Sequence, residues 1–196
     1  DILTGCEDRA VFDLGDILDM DIDRVAVGDI WGYKNLSLIK ACTEDKLDSL
    51  SKEKNLSMDE IIRKTAEKVV ADAEYDILIC DTGGGIGIAQ TVADLFGFAV
   101  IASEQSQTSV RAAEYAGECV LRAGAGCVRL VICSFDLMAV KKDKRAGVIE
   151  MIDSSSLCCV GVVPFDKKLQ VVQDRGMSSE KKSLAYSAYR NIARRI

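Results

Sequence analysis

The chain has 196 residues, enough to bury a sizeable core without covalent staples. Its 48% hydrophobic and 29% charged residues exclude disorder as the main state, and a formal net charge of −6 argues against a general nucleic-acid-binding surface. Histidine is absent, which excludes a Ser-His or Cys-His nucleophile pair and any histidine-ligated metal within these residues.

Length sets the expectation of a single domain over residues 1–196. The first residue is Asp1 rather than methionine, so the natural reading frame is expected to start upstream or to have lost a leader. Residues 1–30 carry nine acids against Arg9 and Arg24, which reads as a solvated face. The first apolar run of strand length is Leu36–Ala41. Ser57-Met58-Asp59-Glu60 is a capping box, and Ile61, Ile62, Ala66, Val69 and Val70 follow it at helical spacing. Tyr75–Asp81 is a second apolar run, read as a buried central strand, and a helix is expected around Ile88–Phe96. Phe98–Ser103 is the third run. Thr108–Arg122 then places Val110, Ala113, Ala116, Cys119 and Val120 on one helical stripe that Gly124 ends. Val128–Cys133 and Leu157–Val163 complete the runs, with short helices expected at Ala146–Ile152 and Asp166–Gln173. Ser178 or Ser179 is expected to cap a last helix with an apolar face of Leu184, Ala185, Ala188, Tyr189, Ile192 and Ile196.

The runs are nearly continuous rather than alternating, as in parallel strands buried on both faces. Strands alternating with helices predict an α/β fold: a doubly wound, mostly parallel sheet with helices on both faces. Ligands of such sheets bind at the carboxyl ends of the strands. Eight cysteines occur without a Cys-x-x-Cys pair. Cys80, Cys133, Cys158 and Cys159 lie in apolar runs, so reduced core thiols in a cytoplasmic protein are expected. No apolar run approaches the ~20 residues of a membrane span, and no signal peptide is visible.

The residues that follow Tyr75–Asp81 carry the most chemistry. Thr82-Gly83-Gly84-Gly85-Ile86-Gly87 lets backbone amides approach an anion closely, ahead of a helix with its positive end. Asp81 at the strand tip suits a magnesium ion, directly or through water. The structural alternative is an acid that caps a helix beside a tight turn. Two chemistries compete for the loop. Thr82-Gly83-x-x-x-Gly87-Ile88-Ala89 resembles the glycine fingerprint of short-chain dehydrogenases, but its last glycine is missing and Tyr186 is followed four residues later by Arg190 rather than lysine. The other is a P-loop NTPase, with the apolar run and Asp81 as the Walker B strand. That chemistry needs a glycine-lysine phosphate loop, and no glycine among residues 1–196 is followed by lysine.

Across the whole chain the order of motifs resembles the MinD/ParA family of deviant-Walker ATPases, MinD most of all, with the first βα unit missing. Thr4–Leu18 is similar to the family segment G-L-E-N-R-x-V-Y-D-L-x-D-V-L, and Tyr75–Gly87 to Y-D-x-x-x-I-D-x-P-A-G-I. Ser109-Val110-Arg111-Ala112-Ala113 resembles S-A-V-R-D-A, and Gly161–Asp166 resembles G-V-V-P-E-D. Arg190–Ile196 is similar to the last-helix pattern R-N-I-A-R-R. Flagellar-number and pilus-localising ATPases share the fold.

The resemblance implies an ATP- and magnesium-dependent homodimer that positions cell-division or surface machinery, with septum-site determination as the type function and a protein regulator or cargo as partner. It implies that Asp81 holds magnesium through water and that Gly83, Gly84 and Gly85 form switch II. Cys133, Ser134, Pro164, Phe165 and Asp166 would flank adenine. The lysine-rich loop and switch I would lie upstream of Asp1, so the chain as it stands should not hydrolyse ATP. The family's proline and alanine are replaced by Gly83 and Gly84, and Cys133 lacks the paired donor and acceptor of an amide that reads adenine. A non-catalytic scaffold of the same fold is therefore the alternative. The last helix reads as a core helix rather than a membrane anchor, which leaves the full-length form peripheral at the inner membrane at most.

Overall fold

The computed structural model describes residues 4–72, 74–142, 144–173, 175 and 183–196. Packing divides the chain between Leu95 and Phe96 into two compact units, with the last helix counted in the second.

The first unit begins with a one-turn 3-10 helix, Leu14–Leu18, capped by Asp13, and the short helix α1 (Ile22–Val25). Ile17, Ile22 and Val25 form its buried centre, with Phe12, Leu14, Ile39 and Val69 packed against them. Lys46 on α2 (Glu44–Lys54) reaches Asp13 at 2.9 Å and Asp16 at 2.7 Å. Burial alone would raise the Asp16 carboxyl, but the Lys46 hydrogen bond and charge hold it below the usual range. Helix α3 (Met58–Asp72) starts as its sequence indicates. The Ser57 hydroxyl accepts from Glu60 N–H at 3.2 Å, and the Glu60 carboxylate accepts from Ser57 N–H at 2.7 Å. Its Lys68 donates to the Ile17 and Met20 carbonyls, tying α3 to the first helical turns.

Two expected strands of this unit are not strands. Leu36–Ala41 makes only an antiparallel bridge, in which Leu38 and Val27 exchange both backbone bonds at 2.8 and 2.9 Å. Tyr75–Asp81 is irregular and unladdered, with Ile77 77% and Ile79 90% exposed. A strand needs a neighbour in register to take its N–H and C=O groups, and among the described residues this segment has none. The two runs are joined by the Tyr75 hydroxyl, which donates to Ser37 Oγ at 2.7 Å. Helix α4 (Ile86–Val92) and a 3-10 turn, Ala93–Leu95, close the unit.

The second unit holds the sheet. Strands β1 (Ala99–Glu104), β2 (Val128–Phe135) and β3 (Cys159–Pro164) are parallel in the order β1-β2-β3. The intervening helices are α5 (Gln107–Arg122), then α6 (Leu137–Val140) and α7 (Val148–Asp153). After β3 come α8 (Lys167–Gln173) and α9 (Leu184–Ala193). Side-chain alternation along β2 sorts its residues to two faces. Leu130 and Ile132 pack with Val110 and Ala113 of α5 and Met151 of α7, whereas Val131 packs with Val160, Val163, Ala185 and Ile192. The sheet is thus covered on both faces and is open, as the apolar runs indicate.

Several details differ from expectation. The proposed caps Ser178 and Ser179 lie outside the described residues, and Ser183 caps α9 by accepting from Tyr186 N–H at 2.9 Å. Only Ala185 and Ile192 of the α9 face are fully buried, while Leu184 is 73% exposed. All eight cysteines are free, but the buried ones are Cys6 and Cys119, and Cys80 and Cys158 are exposed. A thiol reagent should therefore label Cys80 and Cys158 of the native protein first, and denaturation without reductant should release eight thiols. Fast native labelling at Cys6 and Cys119 would contradict this packing.

Gly161 on β3 lies under Ile192, whose Cγ1 would collide with an added Cβ and whose Cδ1 would sit 2.8 Å from it. Gly161→Ala is expected to destabilise by roughly 1–3 kcal/mol, read from chemical denaturation, because the added methyl would overlap the buried Ile192 side chain. An unchanged midpoint would mean that α9 packs elsewhere.

Candidate functional site

The residues singled out in the sequence fall into two groups, one in each unit. In the first unit, Asp81 leads the glycine loop into α4. Its Oδ1 accepts from Gly83 N–H at 2.9 Å, and Gly83 takes φ +56°, a left-handed conformation suited to glycine. Gly85 N–H donates to the Thr82 carbonyl at 3.3 Å, closing the turn. Gly85 is the N-cap of α4 and offers no side chain, so the helix's first amides have no side-chain cap. A Cβ at Gly83, Gly84 or Gly87 would meet nothing within 4 Å. The glycine side of the loop therefore faces open space, while the Gly83 and Gly85 amides are spent on the turn itself and Asp81 keeps its second oxygen.

Arg63 fixes the far end of α4, a role that no sequence motif announces. Its guanidinium donates to the Thr91 carbonyl at 3.1 Å and to both Asp94 oxygens at 2.8 and 2.9 Å, and its Nε meets Glu67 at 2.8 Å. The Asp94 hydrogen bonds push the guanidinium's pKa further up, and Arg63 in turn holds the Asp94 carboxyl below its ordinary range. Arg63 and Asp94 are separated by 31 residues, which is why the contact was illegible.

In the second unit, the carboxyl ends of β2 and β3 bring Ser134, Pro164 and Phe165 together. Phe135 pairs with Pro164, and Phe165 N–H donates to the Phe135 carbonyl at 3.0 Å. Ser134 takes φ +53° where the β2–β3 register shifts, which presents its side chain to solvent. Phe165 is 44% exposed, and Asp166 caps its own turn by accepting from Lys168 N–H at 3.0 Å. Cys133 is half-buried and pairs with Glu104 of β1. Desolvation, then the Glu104 charge, pushes the thiol's pKa up, so Cys133 presents a neutral S–H.

Gln105 went unrecognised in the sequence. It is 3% exposed just after β1, where its Nε2 donates to the Ala146 carbonyl at 2.9 Å and its Oε1 accepts from Asp136 N–H at 2.8 Å. It thereby holds one wall of a cavity of about 620 Å³ that Lys144 and Arg145 also line. Two backbone groups far apart in sequence are satisfied by one buried amide, which is a tertiary fact with no local pattern.

Magnesium and a nucleotide make different demands on these donors. Among the described residues, no group of three or more histidine, cysteine or acidic side chains could hold a metal ion. Asp81 alone thus fits only a water-mediated contact to a metal carried by a phosphate ligand. The glycine amides fit phosphate oxygens in kind, without a lysine beside them.

No protein-family model matches the chain, and no curated protein matches it in sequence. Solved structures do. The MinD cell division protein of Aquifex aeolicus superposes with a TM-score of 0.80 at 22% identity, covering 100% of this chain and 78% of that one. The same organism's MinC:MinD cell division protein complex gives 0.80 at 23% identity, with 100% and 76% covered. The septum site-determining protein MinD of Pyrococcus horikoshii, complexed with Mg-ADP, gives 0.75 at 12% identity, with 98% and 76% covered. At these identities the likeness establishes the fold alone, which this chain shares with these MinD structures.

Proposed function

We propose that the chain forms the body of a MinD-type ATPase, a nucleotide-dependent dimerisation switch that positions cell-division or surface machinery. The observation that supports this reading is a MinD-like fold over the whole chain, together with an aspartate and three glycines that lead into a helix. In this reading Asp81 orients a water on magnesium, and the amides of Gly83–Gly85 sense the terminal phosphate, coupling nucleotide state to dimer state. Magnesium and ATP would supply the scissile phosphoanhydride and its charge neutralisation. The phosphate-binding lysine loop would come from a segment outside these 196 residues, because no glycine here precedes a lysine. The exposed Ile77 and Ile79 support that view, since Tyr75–Asp81 has the composition of a central strand and no neighbour among the described residues. A protein regulator or cargo is the expected partner, by analogy with the MinC:MinD complex that shares the fold.

A scaffold without turnover is the second reading. It is favoured by the Asp81–Gly83 hydrogen bond, which is already what the turn requires, and by the neutral Cys133 thiol at the proposed base-reading position. Nothing favours a dehydrogenase: Tyr186 is half-buried on α9 and is followed four residues on by Arg190.

Thermal unfolding with Mg-ATP tests the choice. These 196 residues should show no ATP-dependent shift beyond that of magnesium alone. The protein carrying the lysine loop should be stabilised by about 2.7 kcal/mol when ATP reaches about 100 times its dissociation constant. Stabilisation of the shorter chain by ATP would remove the need for that loop. No stabilisation of the longer one would leave the scaffold.

A further inference from the structure

Helix α4 is short and poorly started. It has seven residues, its N-cap is Gly85 without a side-chain cap, and Gly83, Gly84 and Gly87 surround that start. Glycine loses the most backbone freedom on ordering, and a helix of about two turns is marginal without outside contacts. Burial grows toward the far end. Val92 and the following Ala93 are buried, whereas Gly87 and Ile88 beside the loop are exposed. What keeps α4 wound must therefore act mostly from its carboxyl end.

Arg63 of α3 acts there. It donates to the Thr91 carbonyl at 3.1 Å, in the last turn, where intrahelical donors run out. It also grips both Asp94 oxygens in a fork, at 2.8 and 2.9 Å. Glu67, one turn along α3, meets its Nε at 2.8 Å and braces the guanidinium from its own helix. An exposed ion pair alone adds little to stability. Here one planar group joins a carbonyl and a carboxylate in a fixed geometry, which the point charge of a lysine cannot reproduce. We propose that Arg63 is a positioning residue for the glycine loop: it clamps the carboxyl end of α4 onto α3 and so holds Gly83–Gly85 in place for a phosphate-bearing ligand. What the loop binds rests on the nucleotide reading above; how the loop is held rests on the contacts of Arg63.

Two variants test the clamp. Arg63→Lys keeps the charge and loses the fork, and Arg63→Gln loses both, so one remains informative if the other fails to fold. In the 196-residue chain without nucleotide, hydrogen exchange of the amides of residues 83–91 should speed up about tenfold in both, with exchange in β2 unchanged. In the lysine-loop-bearing protein, kcat for Mg-ATP should fall about tenfold while KM changes less than about threefold, because the lysine loop still holds the nucleotide. A merely structural arginine would speed exchange in β2 as well and would not separate kcat from KM. Parent-like exchange over residues 83–91, equal acceleration in β2, or parent-like kcat in both variants of an active parent would each overturn the role of Arg63. A parent that turns over no ATP would instead sink the nucleotide reading, and the exchange measurement would still decide the clamp.

Discussion

Ile132→Ala should lower the unfolding free energy by about 3 kcal/mol, whereas Ile79→Ala should change it by less than about 0.5 kcal/mol. Both isoleucines sit in apolar runs of similar composition, and their costs differ because their surroundings differ. Ile132 is 0% exposed on β2 and packs among Val110, Ala113, Leu130 and Met151. Removing three of its carbons forfeits transfer energy and leaves a cavity that the sheet and α5 cannot close. Ile79 is 90% exposed and has little contact to lose. Urea denaturation of the two variants against the parent gives both numbers, with equal m-values required for the comparison. If Ile79→Ala costs as much as Ile132→Ala, Tyr75–Asp81 is a buried, laddered strand in solution.

That contrast marks the limit of local reading. Hydrophobic runs identified β1, β2 and β3 to within a few residues, because burial on both faces leaves a composition that does not depend on knowing the neighbour. The same composition at Leu36–Ala41 and Tyr75–Asp81 indicated strands that are absent, because a ladder requires a partner in register and that requirement is nonlocal. The Ser57–Glu60 box was legible, since both partners lie within one turn. Helix α2 escaped notice because it buries no residue, so no apolar stripe betrays it, and the Thr43 cap is a weak mark alone. The cysteines were misassigned for a related reason: an apolar neighbourhood in sequence placed Cys80 and Cys158 in the core, and the fold exposes both.

The site divides in the same way. Glycine density after Asp81 was readable because the conformational demand sits in the residues themselves, as the φ of Gly83 bears out. Arg63 and Gln105 act on backbone and side-chain groups 28 to 41 residues away. No spacing rule reaches that far.

Asp81→Asn separates a ligand role from a turn role. Asparagine keeps the size of aspartate, keeps an oxygen that can accept from Gly83 N–H, and removes the charge. If Asp81 serves only its turn, the variant should fold and behave like the parent, since both residues are good caps. If Asp81 orients a magnesium-bound water beside the phosphates, the loss of charge should weaken magnesium-dependent turnover or dimerisation by at least about tenfold, or ~1.4 kcal/mol. Thermal unfolding without nucleotide should show equal stability for the two proteins, which keeps a folding defect from passing as a catalytic one.

Sedimentation velocity in Mg-ATP of the lysine-loop-bearing protein and its Asp81→Asn variant, at equal concentration, tests the switch most directly. The account predicts a dimer for the parent in Mg-ATP, a monomer in Mg-ADP, and a dimer fraction for Asp81→Asn close to that of the ADP state. An equal dimer fraction for parent and variant, or a parent indifferent to which nucleotide is present, would contradict it.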